Sequence, residues 1–209
     1  MLNHTRRTRA GFSLIELMVV IALIGILMSI AIPTFGKWTA DASVRAVAES
    51  LTNAIRQTQA TAISRGRVGM FALTTDTPPV LTSTPVASAS NWFSELNKLS
   101  GSDETQAWLG LILKSTEGTQ RNVNISLSTG TLTCFNSLGR QSGLTAAQNA
   151  LSTACSVAAD DNNPSKYIVS RSGATRSFWV LVYPGGRVRM CDAAKTLSAA
   201  NPDGCPTLP

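Results

Sequence analysis

Gly11-Phe12-Ser13-Leu14-Ile15-Glu16 opens a nearly uninterrupted apolar stretch that runs to Ile32, and the reading of this stretch decides the fold. From Phe12 to Ile32 there are 21 residues. At about 1.5 Å each they make a helix of roughly 30 Å, the thickness of a bilayer's hydrocarbon core. Ahead of them stand Arg6, Arg7 and Arg9 with no acid before Gly11, a basic flank that holds its side of the membrane in the cytoplasm. Glu16 is the exception inside the stretch. A carboxylate in lipid costs about 2.5 kcal/mol or more, and such groups have a partner and a task. A secretory signal peptide accounts for the basic flank, but its apolar region runs about 7 to 15 residues and ends at a small-residue cleavage site, which does not follow cleanly here. A plain signal anchor accounts for the length and leaves Glu16 unexplained.

Downstream, Pro33 removes one backbone hydrogen bond and predicts a kink or a local loosening. Beyond it Val44, Val47, Leu51, Ile55, Thr58 and Ala62 recur at steps of three and four, with Arg45, Glu49, Arg56 and Gln59 between them, so one face looks to a core. Gly66, directly after Arg65, reads as a C-terminal cap, and the spacing predicts one long helix over about 13–65. Past Gly66, β-branched and aromatic runs alternate with Ser, Thr, Asn, Gly and Pro. Strands are expected over 67–73, 107–114, 121–128, 131–136, 166–171, 175–182 and 186–190. A Thr/Ser/Pro/Ala-rich loop fills 74–90 and a second polar loop 141–164, and no internal repeat is visible.

Four cysteines, Cys134, Cys155, Cys191 and Cys205, form no C-x-x-C pair, and their spacings do not suit a zinc site. An even number on the exported side favours disulfides. Of the three possible pairings, Cys134 with Cys155 and Cys191 with Cys205 is preferred, because each bond would close a polar loop with little apolar content of its own. Catalytic parts are scarce. His4 is the only histidine, and there is no H-E-x-x-H, G-x-S-x-G, P-loop or G-x-G-x-x-G, so neither an enzyme nor a cofactor or metal is expected. The adjacent carboxylates Asp160 and Asp161 lie among Asn162, Asn163 and Pro164 and read as a solvated turn.

The segment GFSLIELMVVIALIGILMSIAIPTF resembles the class III signal and N-terminal helix of type IV pilins and type II secretion pseudopilins. That resemblance implies cleavage after Gly11 by a prepilin peptidase and N-methylation of Phe12. It also implies a fibre-assembly role for Glu16, the fifth residue of the mature chain, which would meet the N-terminal ammonium of a neighbouring subunit so that each charge offsets the other's burial. The implied fold is α+β and pilin-like, one long helix packed on an antiparallel sheet. Its parts are a leader over 1–11, a transmembrane helix half over 12–33, an amphipathic half over 34–66 and a β-rich head over 67–209. The implied location is the bacterial inner membrane, crossed once with the head in the periplasm, and then a fibre with other pilins or pseudopilins.

The formal charge is +6. Setting aside the three leader arginines leaves 15 basic against 12 acidic residues, a modest surplus with an uneven distribution. From Ser165 to Met190 the chain carries Lys166, Arg171, Arg176, Arg187 and Arg189 and no acid, with Tyr167, Phe178, Trp179 and Tyr183 among them. Nucleic-acid surfaces use this mixture for phosphates and for base stacking. Tyr183-Pro184-Gly185-Gly186 reads as a hairpin turn, placing Val188 and Met190 on one face and Arg187 and Arg189 on the other. An edge strand kept soluble by outward charge has the same pattern.

TQATAISRGRVGMFAL at the helix end and SFWVLVYPGGRVRMCDAAKTLSAANPDGCP near the C-terminus resemble the GspH/FimT/FimU group of minor pilins and pseudopilins. Gly186-Arg187-Val188-Arg189 matches the G-R-x-R motif associated with DNA binding in FimT-type members, which implies non-specific binding of double-stranded DNA for uptake in natural transformation. The alternatives are a FimU-like initiator of pilus-tip assembly and a pseudopilin H of a type II secretion system.

Overall fold

Ser13 starts the long helix α1 (Leu14–Arg65) by accepting a hydrogen bond on its Oγ from the Glu16 backbone N–H at 3.4 Å. Gly66 ends it in the left-handed conformation, φ 61°, donating its N–H to the carbonyls of Ala62 and Ile63. The computed structural model describes residues 13–97, 111–149 and 151–208, with 30–34 and 111–114 described by backbone alone. The helix continues through Pro33, so the lost hydrogen bond does not divide it. The leader, Gly11 and Phe12 lie outside the described residues.

The head follows as β1 (Gly69–Thr74), β2 (Ser88–Ala89), β3 (Asn91–Leu96), β4 (Leu111–Ser115), a short helix α2 (Glu117–Gln120), β5 (Asn124–Leu127), β6 (Leu132–Phe135), a 3-10 turn at Ala146–Gln148, then β7 (Ser165–Ser170), β8 (Phe178–Val182), β9 (Val188–Thr196) and β10 (Gly204–Cys205). These make two sheets where the sequence suggests one. The first runs β4-β3-β1-β6 and the second β10-β9-β8-β7-β5-β2. All pairs are antiparallel except β9 with β10, which run parallel.

The amphipathic half of α1 closes on both sheets at once. Val44, Val47, Leu51, Ile55 and Ala62 pack with Phe71, Leu73, Trp92 and Phe135 from the first sheet and with Ile125, Tyr167, Val180, Val182 and Val188 from the second, in one cluster. Thr58 is equally buried, and its hydroxyl donates to the Ala54 carbonyl at 2.9 Å, which lets a polar side chain sit in the apolar stripe. Tyr167 joins the sheets, with its ring edge-on to Phe71 at 5.9 Å and its hydroxyl 2.7 Å from that of Thr133. Burial pushes the Tyr167 hydroxyl well above the usual phenol range.

Two differences from the sequence reading, at β3 and β9, have physical causes. β3 was not expected, because Asn-Trp-Phe-Ser-Glu-Leu shows neither alternation nor a β-branched run, and all six residues are buried. Asn91, its first polar member, survives burial by bonding. Asn91 donates through Nδ2 to the Asp76 carbonyl and Thr77 Oγ1, both at 2.8 Å, and accepts from Thr119 Oγ1 at 2.8 Å. The strand expected over 107–114 is described only from Leu111. β9 runs six residues past the expected Met190 to Thr196, because β10 supplies its edge with a partner.

Candidate functional site

Two regions carry the functional readings. The first is the start of α1, where Glu16 lies in the first turn, the end at which helix dipoles favour a carboxylate. Large apolar side chains from Leu14 to Met28 are exposed and meet no partner within the head. Among the described residues no helix is long and apolar enough to cross a membrane. The apolar side chains described there stop at Met28, short of the sequence stretch that ends at Ile32.

The second region is the face of β7, β8 and β9 turned away from α1. In the cross-strand register Lys166 stands opposite Leu181 and Leu181 opposite Arg189, so the three share a face. With strands about 4.8 Å apart, Lys166 and Arg189 lie roughly 10 Å from each other at the backbone. The hairpin tip adds Arg187, whose guanidinium lies 3.9 Å from the Tyr183 ring centroid, and Lys166 holds its ammonium 4.5 Å over the Trp179 ring.

The hairpin is held from below. Gly186 donates to the Tyr183 carbonyl at 2.8 Å, and Tyr183 donates to the Arg187 carbonyl at 3.0 Å. Gly186 has φ 90°, and a Cβ there would stand 1.9 Å from the Gly139 carbonyl oxygen, so only glycine fits. Gln59 of α1 donates through Nε2 to the carbonyls of Gly139 at 2.6 Å and Gly186 at 2.8 Å, and Arg56 donates to the Val188 carbonyl at 3.0 Å. Neither Arg56 nor Gln59 was singled out from sequence, since both read as polar positions on the helix's solvent side.

The structure splits the five basic candidates. Lys166, Arg187 and Arg189 share the outer face, but Arg189 uses Nη2 to donate to the carbonyls of Pro202 at 3.0 Å and Gly204 at 3.1 Å, pinning the C-terminal loop. Arg171 and Arg176 lie at the opposite end of β8. Arg171 donates to Ser43 Oγ at 2.9 Å, and Arg176 lies 3.8 Å from the buried Asp192 carboxylate. There Asp41 of α1 accepts from the backbone N–H groups of Thr175 at 2.7 Å and Arg176 at 3.0 Å, and from the Thr175 hydroxyl at 2.5 Å. The Thr175 hydroxyl, with those backbone donors and the Arg176 charge, holds the Asp41 carboxyl below its usual range against the opposing effect of burial.

The aromatic residues are also redistributed. Tyr167 and Phe178 face the helix side, Tyr183 is buried under Arg187, and Trp179 lies under Lys166. None of the four offers a bare ring, so this surface meets phosphates with charge and gives bases no open stacking platform. Cys134 is bonded to Cys155 and Cys191 to Cys205, with Cα atoms 5.7 and 5.0 Å apart, the pairing that loop closure favours. Asp160 accepts from the N–H groups of Asn162 at 2.7 Å and Asn163 at 2.9 Å and so builds a turn. Among the described residues no group of His, Cys, Asp and Glu could hold a metal ion.

Residues 6–32 match the family described as the prokaryotic N-terminal methylation motif. Two fimbrial proteins of Pseudomonas aeruginosa are each 45% identical to the chain over 62 residues, 29% of its length, and the chain spans 39% of theirs. Crystal structures of the Pseudomonas aeruginosa (strain PAO1) type IV minor pilin FimU in two crystal forms align at 11% identity. They give TM-scores of 0.47 and 0.43, covering 76% and 72% of this chain and 95% and 94% of theirs. The chain thus combines the methylation motif over residues 6–32 with one long helix, Glu16 in its first turn, laid against antiparallel strands in an α+β arrangement.

Proposed function

We propose that the chain is a minor pilin of a type IV pilus. It is cleaved after Gly11, methylated on Phe12, and held once across the inner membrane by residues 12–33 with its head in the periplasm. It is then drawn into a fibre with other pilins, where Glu16 meets a neighbour's N-terminal ammonium. The observation that carries this reading is the match of residues 6–32 to the methylation motif, which takes in the start of a helix whose exposed apolar side chains find no partner in their own head. Intact mass of membrane-extracted protein tests it: the chain should begin at N-methyl-Phe12, and a product that keeps Met1 or starts near Ala31 would sink the assignment. Glu16→Ala should be inserted and processed normally yet be nearly absent from sheared fibres.

The head, in this reading, binds double-stranded DNA weakly and without sequence preference through Arg187, Lys166 and Arg189, with a Kd of about 10⁻⁴ to 10⁻⁶ M at physiological salt. Three neutralised phosphates correspond to a slope of log affinity against log salt of about −2.7, and each lost contact removes about 0.9. Arg187→Gln and Lys166→Gln are the informative variants, since Arg189 also holds the C-terminal loop. Equal binding by wild type and the double variant favours a second reading, a FimU-like initiator of tip assembly. The pinning of Arg189 and the packing of Gly186 support that alternative, because both fit a motif retained for folding.

A further inference from the structure

Between the apolar stretch and the point where the head takes hold of α1, the helix carries a short collar that contacts almost nothing. Phe35 is 62% and Trp38 69% exposed, and Lys37 between them is exposed as well. Trp38 forms one wall of an open groove of about 420 Å³ whose other lining residues are Asp41, Ala42, Arg45, Thr175, Arg176 and Phe178. An indole left this open on a helix that buries its apolar face less than two turns further on, at Val44, needs an environment that suits both its ring and its N–H.

We infer that Trp38, with Lys37 beside it, is an interfacial anchor that seats in the phospholipid headgroup layer and sets the height of the head above the membrane. The inference rests on the reading that the apolar stretch ending at Ile32 spans the bilayer. Trp38 stands six positions after Ile32, a rise of about 9 Å. The polar layer on one side of a bilayer is roughly 5 to 8 Å deep. Helical side chains lean toward the N-terminus, so the indole reaches back down into that layer while its backbone stands just above it. Lys37 can keep its ammonium among the headgroups with its stem along the apolar boundary. Tryptophan enriched at this depth is a general property of membrane spans.

The charges around the groove set the selectivity. Arg45 is paired with Glu49 at 2.8 Å, Arg176 lies 3.8 Å from Asp192, and the Asp41 carboxylate is taken up by Thr175 and the Arg176 backbone. Their charges nearly balance, which leaves Lys37 as the cation nearest the membrane and gives little preference for anionic lipid. Trp38 and Asp41 are three residues apart and so share a helix face. The anchor and the bond that latches the 171–177 turn therefore act on one side of α1, and seating one orients the other.

The full chain, reconstituted into phosphatidylcholine vesicles, gives the test. The emission of Trp38 is taken as the difference between wild type and Trp38→Phe, which leaves Trp92, Trp108 and Trp179 in place. A nitroxide at the top of the acyl chain should quench this difference strongly and one near the chain end weakly, with the same result in phosphatidylglycerol vesicles. If the chain floats with the vesicles and neither label quenches Trp38, the span stands and the anchor is wrong, with a second copy of the chain as the cover for the ring. Stronger quenching by the deep label also overturns it, because the ring would then lie in hydrocarbon. A chain that does not float with vesicles overturns the span and the anchor together.

Discussion

From Leu14 to Ser29 every side chain of α1 is exposed, whereas between Val44 and Ala62 the same helix loses its whole apolar stripe to the head. The two halves obey different periodicities for that reason. In the buried half apolar residues recur every three or four positions because a protein core covers one side. In the exposed half they go all round, as a helix must when its surroundings are apolar on every side. The head can therefore fold on its own core, and the N-terminal half depends on something outside the chain. Substitutions should separate the halves by what they damage.

The largest contrast is between two leucines on one helix. Leu51 is fully buried in the main cluster, and Leu51→Ala should cost about 2 to 5 kcal/mol of head stability. Leu23 is exposed, and Leu23→Ala should leave the head's chemical denaturation midpoint unchanged. A shift in that midpoint comparable to that of Leu51→Ala would show that the naked half docks on the head in solution and would erase the distinction.

Next in size are the disulfides. Replacing Cys191 and Cys205 by Ser together should cost about 2 to 4 kcal/mol if the bond acts mainly by restricting the unfolded chain. The C-terminal loop is also held by Arg189 and by Lys195, whose ammonium is 2.6 Å from Asp203, so its amide protons should remain partly protected from exchange. Complete loss of protection over 195–204 would mean that the bond alone organises the loop. A smaller effect, on the order of 1 to 3 kcal/mol, is expected for Gln59→Ala, which leaves the close-packed carbonyls of Gly139 and Gly186 without their shared donor. Its sharper sign is local: exchange should rise at 184–187 and leave β7 and β8 unchanged.

What could be read from sequence was local, or periodic over a long element. Ser13 and Gly66 bracket the helix through their own backbone preferences, and the stripe from Val44 to Ala62 repeats often enough to fix a face. Loop closure sufficed for the cysteines. β3 escaped because its Asn, Ser and Glu are buried by strands far apart in sequence, with Asn91 bonded to Asp76, Thr77 and Thr119, which no window along the chain reveals. The basic cluster was half legible for a related reason. Strand alternation places Arg187 and Arg189 on the outer face, but nothing local foretells that Arg189 is claimed by the Pro202 and Gly204 carbonyls, or that Arg171 and Arg176 turn back to Ser43 and Asp192. The aromatic residues were misjudged in the same way, since composition cannot say which rings the neighbouring cations cover.

The smallest expected effect lies at the boundary between the halves, where Asp41 is the first acidic side chain of α1 to hold the head. Its carboxyl is held below the ordinary value of 3.8 by the Thr175 hydroxyl first, then by the backbone donors of Arg176 and Thr175. A carboxyl depressed on folding contributes stability that is present above its unfolded value and lost as pH falls through its folded one, because protonation removes the acceptor. The latch should thus be intact at neutral pH and fade below about pH 4. The protection factors of the Thr175 and Arg176 amides, exchange measured against the intrinsic rate at each pH, should fall over that window while those of the β8 amides hold. Asp41→Asn, which keeps the shape and one acceptor oxygen, should leave the same two amides with a reduced protection factor that no longer depends on pH. If the protection factors of wild type show no change between pH 7 and pH 3, the 171–177 turn is held by Arg171 on Ser43 and by the packing of Phe178, and the polar grip of the head on the helix begins higher, at Ser43.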